Sequence, residues 1–239
     1  MTEPAPTHPR WRAEVSEIIG TCAIAHNEPP TVIRRRRVVV AVVLVIGAGL
    51  LGYSLTRPPG DASFYWLTLA LAAVWAAGAF LSGPLHLGCI KFRGRNQRPV
   101  ITGTVIGLGL GAVFVVGGLI AREIPGVREY ITRVLEFANY GPLVLVTFIT
   151  VINGVAEELF FRGSVYTALP KHQVLISTVL YVIATAATTG NPMLGFAAVI
   201  LGTVCAYLRR ITGGVLAPVL VHFFWGLVLV LALPPVFGV

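Results

Sequence analysis

The chain is a succession of long apolar runs separated by short polar intervals. Seven apolar segments can be drawn, at roughly 38–55, 64–85, 100–120, 142–166, 174–189, 193–208 and 213–233. Runs of ~18 or more apolar residues cross a bilayer as helices, because a helix pairs its own backbone polar groups where no water is present. The pattern therefore predicts an all-α, polytopic transmembrane helical bundle of about seven spans. The segments at 174–189 and 193–208 are short for a crossing, so counts of six to eight fit the pattern. In the third segment Gly103, Gly107 and Gly111 stand at i, i+4 and i+8. Small residues at that spacing let a neighbouring helix approach closely, which is a packing feature rather than a ligand site.

Composition sharpens this picture. Of 239 residues 56% are hydrophobic and 12% charged, and a soluble domain carries about twice that charged share. The net charge of +8 does not point to nucleic acid, because the basic residues cluster between the apolar runs in the manner of the positive-inside rule. "RRRR" at 34–37 puts the N-terminus in the cytosol, and the loop "HLGCIKFRGRNQRP", with Lys91, Arg93, Arg95 and Arg98, falls on the same side, as do Lys171, Arg209 and Arg210. Opposite loops carry Arg57 with Asp61, and Arg122, Arg128 and Arg133 balanced by Glu123, Glu129 and Glu136. No cleavable signal peptide is visible, and "WRAEVSEIIGTCAIA" reads equally as a short interfacial helix or a mobile tail. The expected organisation is a polar cytosolic tail at 1–33, a three-span region at 34–141 and a membrane core at 142–239, in a membrane that is most simply a bacterial cytoplasmic one. Cys22, Cys89 and Cys205 share no metal-type spacing and read as free thiols.

Candidate chemistry lies in "NGVAEELFFRGSVY", residues 153 to 166, inside the fourth apolar segment. A charged side chain at bilayer depth costs at least ~2.5 kcal/mol even on lenient insertion scales, so Glu157, Glu158 and Arg162 together require a reason. A helix turns ~100° per residue; Glu158 and Arg162, at i and i+4, therefore share a face and can pair. Arg162 then compensates and orients Glu158. Glu157 lies one step round, has no local cation, and in a poorly solvated place suits a general base acting on water. Asn153, one turn before Glu157, shares its face and can hold it or the water. The ion pair alone is equally a packing device; the additional glutamate points to chemistry. His222 lies in the apolar run "GGVLAPVLVHFFWGLVLVLAL". At ~1.5 Å per residue it is ~14 Å from the cytosolic end of its helix, against ~8–14 Å for Glu157 and ~17 Å for Thr185. All three can meet in the cytosolic half of the bilayer.

These residues resemble the CPBP family of CAAX proteases and bacteriocin-processing enzymes, also called the abortive-infection family. "EELFFR" is similar to its EExxxR motif, and the likeness continues through "EELFFRGSVYTAL", "LISTVLYVIATA" and "GFAAVILGTVCAYLRRITGGVLAPVLVHFFWG", covering Pro142 to Leu233. The resemblance implies a polytopic membrane endopeptidase. By it, Glu157 corresponds to the water-activating glutamate, Glu158 and Arg162 to its partners, and His222 to the histidine of the HxxxN motif that stabilises the oxyanion. The chain departs from the family at three positions: Gly226 stands where that asparagine belongs, and Tyr181 and Thr185 replace the phenylalanine and histidine of FxxxH. A threonine hydroxyl can hydrogen-bond a water but cannot shuttle a proton near neutral pH. Glycine offers no oxyanion donor, and losing one such donor elsewhere costs ~10²–10³ in rate. Polar side chains able to substitute are Thr188, Thr189, Asn191, Asn153 and Tyr181.

The reading is an intramembrane endopeptidase that hydrolyses a peptide bond in a membrane-associated protein or peptide by glutamate-activated water. The alternative, motivated by Thr185 and Gly226, is a non-catalytic relative acting as a membrane scaffold or regulator. A proton-coupled transporter would also use an acidic pair, but the two halves show no inverted repeat. No cofactor is expected, and no catalytic metal. The chain has no HExxH; His86 and His172 fall at loops and His8 and His26 in the tail, whereas catalytic zinc uses three protein ligands. The expected partners are the bilayer and a membrane protein or peptide substrate, with no nucleic acid. The residues specify no oligomeric state.

Overall fold

The computed structural model describes residues 28–92 and 94–239. Cys22, most of the polar tail with its possible interfacial helix, and Arg93 lie outside the described residues. In chain order the elements are α1 (Pro30–Ser54), α2 (Ala62–Ser82), a hairpin of β1 (Ile90–Phe92) and β2 (Arg95–Gln97), α3 (Val100–Ala121), α4 (Val127–Asn139), α5 (Leu143–Ala168), α6 (Gln173–Thr189), α7 (Pro192–Thr212) and α8 (Leu216–Phe237). Six of them, α1, α2, α3, α5, α7 and α8, are long and apolar enough to cross a membrane. The seventh apolar helix, α6, has 17 residues and spans about 26 Å, slightly less than a hydrocarbon core of ~30 Å. The chain is an all-α polytopic membrane bundle with one small hairpin.

The apolar pattern does not outline two of these elements. In α4, "VREYITRVLEFAN", the charges mark a loop on a hydropathy reading. Yet Val127, Ile131, Leu135 and Ala138 recur at helical spacing and Leu135 is buried, so α4 is an amphipathic helix. The hairpin pairs Ile90 with Gln97 and Phe92 with Arg95. Strands of three residues are too short to leave an alternating signal.

Polar contacts tie each end of the bundle. At one end the Arg36 guanidinium, fully buried, donates to the Glu28 carboxylate, to Ser82 Oγ (3.1 Å) and to Pro84 O (3.1 Å). Arg37 Nε donates to Ala168 O at 3.1 Å. The α2–α3 loop is joined to the α7–α8 turn by Cys89 N–H to Thr212 O (2.9 Å) and Val215 N–H to His86 O (2.8 Å). Arg34 to Arg37, Lys91, Arg95, Arg98, Lys171, Arg209 and Arg210 gather at this end. At the other end Asn191 Nδ2 donates to Tyr130 O of α4 at 2.8 Å.

Helix α3 lies along α8, and its glycines are the reason it can. A Cβ on Gly107 would stand 2.8 Å from Val221 O, and one on Gly111 would stand 2.8 Å from Val228 Cβ. The pairing holds the α8 segment that carries His222. On the other side of the bundle Trp75 of α2 packs on Phe160 (centroids 4.7 Å apart) and Phe161 (5.4 Å), and Phe161 packs on Tyr181 of α6 (5.0 Å). These rings fix α5 and α6 around the polar residues described next.

Candidate active site

Helix α5 carries the two glutamates at the point where its winding changes. It is α-helical to Glu158 and π-helical from Leu159 to Val165, with Tyr166 N–H bonding Phe161 O five residues back. All residues from Phe160 to Val165 are buried. The segment threads the middle of the bundle and touches α1, α2, α6 and α7. Its widened turn admits a partner from outside: Arg209 Nε, on α7, donates to Arg162 O at 2.8 Å. Single π turns inside α-helices recur at functional sites.

Glu158 is fully buried and is the hub of the site. Its Oε1 accepts from Arg162 Nη1 at 2.9 Å and stands 3.0 Å from His222 Nδ1. Arg162, also fully buried, donates a second bond from Nη2 to Gly202 O of α7 (2.9 Å), and its guanidinium lies 4.7 Å over the Tyr181 ring. One carboxylate oxygen therefore joins α5 to α8, and its cation joins α5 to α6 and α7. Glu157 is only half-buried, and its Oε2 accepts from the Tyr181 hydroxyl at 2.8 Å. His222 is 8% exposed and is seated by Gly154, where a Cβ would stand 2.7 Å from Cδ2 and 3.1 Å from Nε2. Nε2 thus faces α5 beside the turn that leads to Glu157.

This cluster falls within a recognised sequence family. Residues 139–228 match the family described as type II CAAX prenyl endopeptidase Rce1-like. The chain carries a CAAX protease-like domain. No curated protein and no solved structure matches the chain. The domain begins at the end of α4 and stops within α8, so it holds Glu157, Glu158, Arg162, Tyr181, Thr185, His222 and Gly226, and leaves α1, α2 and α3 outside the match.

Within the CAAX protease-like domain the substituted positions behave differently from one another. Tyr181 bonds Glu157 directly. Thr185, one turn further along α6, makes no side-chain hydrogen bond to either glutamate among the described residues, and its carbonyl accepts from Thr189 Oγ1 at 2.7 Å. Gly226 is buried, and a Cβ there would meet Thr150 Cγ2 at 3.6 Å, an ordinary contact. A methyl group therefore fits at 226 without moving α5. Asn153 does not bond Glu157; its Nδ2 donates to Thr68 O (3.1 Å) and Ile149 O (2.9 Å). Asn191 caps α7 at the far end, accepting from Met193 N–H at 2.9 Å. Thr188 and Thr189 bond carbonyls of their own helix.

Several contributors had no motif to announce them. Gly202 offers only its carbonyl, Gly154 only its lack of a side chain, and Trp225 stands edge-on to His222 with centroids 5.5 Å apart. Arg209 was read from the sequence as a topogenic charge, yet it is buried and bound to α5. Among the described residues no three His, Cys, Asp or Glu side chains converge as a metal site.

Proposed function

We propose that the protein is an intramembrane endopeptidase of glutamate type, cutting a membrane-associated protein or peptide from the cytosolic half of the bilayer, with its N-terminus in the cytosol. The observation that carries this reading is the contrast between the two glutamates. Glu158 is neutralised and immobilised by Arg162 and His222, whereas Glu157 is half-buried and, among the described residues, its side chain bonds only the Tyr181 hydroxyl. In this scheme Glu157 takes a proton from water as the water attacks the scissile carbonyl, and later returns it to the leaving amine. Glu158 and Arg162 hold the helix turn and orient His222 through Nδ1. His222 donates from Nε2 to the carbonyl oxygen as negative charge develops there. The desolvated setting strengthens that interaction. The proposed steps use no resident metal, and cleavage is expected to be insensitive to strong chelators.

One observation favours the second reading, a scaffold or regulator: the glycine at 226 supplies no side-chain donor at the position where the family motif has its asparagine. Substitutions rank differently under the two. Endopeptidase activity predicts that Glu157→Gln stops cleavage while expression and thermal midpoint stay at wild-type values. A scaffold predicts that Glu157→Gln has no phenotype in the cell, whereas Glu158→Ala or Arg162→Ala is disruptive. Wild-type phenotype in Glu157→Gln cells, with Arg162→Ala defective, would overturn the endopeptidase reading.

A further inference from the structure

Asn153 is held in a manner that leaves one polar atom unused. Both of its Nδ2 protons are committed, one to Thr68 O of α2 and one to Ile149 O of its own helix. The amide cannot be turned over, because the reverse orientation would set Oδ1 against two carbonyl oxygens. Oδ1 is therefore fixed, and it is buried with no hydrogen-bond partner among the described residues. Buried carbonyl oxygens in native proteins are almost always satisfied, by protein or by ordered water. Glu157 lies one turn further along the same face. Helical side chains lean toward the N-terminus, which carries its carboxylate over the turn of Asn153. Its Oε2 is taken by Tyr181, so Oε1 is the oxygen left. His222 Nε2 borders Gly154, the very next residue.

We propose that Asn153 Oδ1 and Glu157 Oε1 form a two-acceptor seat for one water, and that this water is the nucleophile of the reaction. The proposal rests on the endopeptidase reading for the second half of that statement only. Two acceptors engage both protons of a water and turn its lone pairs outward, toward a bound carbonyl carbon. In the attack the water oxygen bonds that carbon and the carbonyl π pair moves onto its oxygen. The proton facing Glu157 passes to Oε1, while the other stays on the attacking oxygen, bonded to Asn153 Oδ1. When the oxyanion collapses the carbon–nitrogen bond breaks, and the amine departs with the proton from Glu157. Asn153 exchanges no proton; it sets the angle of the water.

The test compares wild type with Asn153→Leu, which has similar bulk and no acceptor, and Asn153→Ser. The serine hydroxyl can still donate to Ile149 O, as Thr167 Oγ1 does to Gly163 O, but Oδ1 is gone. Two readouts are taken in nanodiscs. Infrared difference spectra over a pH step, recorded in ordinary and ¹⁸O water, identify an ordered water by the isotope shift of its O–H band. Peptide cleavage gives kcat and KM separately. The expected result is a water band in wild type that both variants lose. With it comes a fall in kcat of about 10- to 100-fold at little-changed KM, and Asn153→Ser, which gives up only the bond to Thr68 O, should still unfold in one cooperative transition. A band that survives both substitutions, or wild-type kcat in Asn153→Ser, overturns the seat. The two proposals fail separately. A wild type that shows the Asn153-dependent band but cleaves nothing keeps the seat and refutes the endopeptidase. A wild type that cleaves without such a band does the reverse.

Discussion

At the scale of single residues the site is governed by how Glu158 is neutralised. A carboxylate with no exposed surface needs a cation and hydrogen bonds, and Arg162 and His222 supply them from two helices. Removing one partner of such a pair leaves an uncompensated buried charge, a loss of about 3–5 kcal/mol. Arg162→Met is therefore expected to lower the thermal midpoint in detergent sharply, while Glu157→Gln, whose amide oxygen can still accept from Tyr181, leaves it near wild type. Equal destabilisation by the two would contradict the division of labour. Gly154→Ala sets a methyl 2.7 Å from the His222 ring and should cost activity by displacing the imidazole, with only modest loss of stability. Tyr181→Phe removes the hydroxyl that bonds Glu157. Lower kcat at constant KM is expected; an unchanged kcat would show the hydroxyl to be dispensable. The pairing of Glu158 with Arg162 could be read directly from the i, i+4 spacing. That His222 meets Glu158 rather than Glu157, and that Tyr181 rather than Thr185 reaches Glu157, could not. Both depend on helix rotations set by packing, of Gly154 under the imidazole and of Phe161 against the tyrosine ring.

Among the elements, the π-helical turn after Glu158 and the α3–α8 contact do most to position the chemistry. The apolar pattern shows where a helix lies but not that one turn holds an extra residue, so the turn from Leu159 to Val165 has no signature beyond being apolar throughout. Arg209 satisfies the carbonyl of Arg162 within it. Arg209→Met should cost about 1–3 kcal/mol, the desolvation penalty of an unmatched buried acceptor, visible as a lower thermal midpoint; no change would mean that the turn relaxes freely. The glycine spacing of α3, by contrast, was legible, because close approach is the only use for a stripe of small residues in an apolar helix. Gly107→Leu would drive a side chain into the Val221 backbone. It is expected to shift α8 and reduce activity more than the same change at Gly109, where a Cβ meets nothing within 4 Å. Helix α4 was hidden because its charges offset its apolar residues in a hydropathy scan, although Val127, Ile131, Leu135 and Ala138 recur at helical spacing.

For the molecule as a whole, the order of the apolar helices followed from hydropathy, and their number only as a range of six to eight: six are long enough to cross and α6 is a shorter seventh. The assembly of the polar residues from α5, α6, α7 and α8 did not, since it needs tertiary contacts up to 64 positions apart in sequence. Ten basic residues, Arg34 to Arg37, Lys91, Arg95, Arg98, Lys171, Arg209 and Arg210, collect at one end of the bundle, against Arg57, Arg122, Arg128 and Arg133 at the other; this is consistent with the proposed cytosolic N-terminus, and proteolysis of sealed vesicles at the 90–97 hairpin would report the side. The central claim is that Glu157 activates water in a working peptidase despite Thr185 and Gly226. Its most direct test is the purified protein in nanodiscs against a library of quenched membrane-proximal peptides, wild type beside Glu157→Gln. The account predicts cleavage by wild type and a loss of about 10²–10⁴ in the variant, the range of a general base. Cleavage that continues undiminished in Glu157→Gln would contradict it.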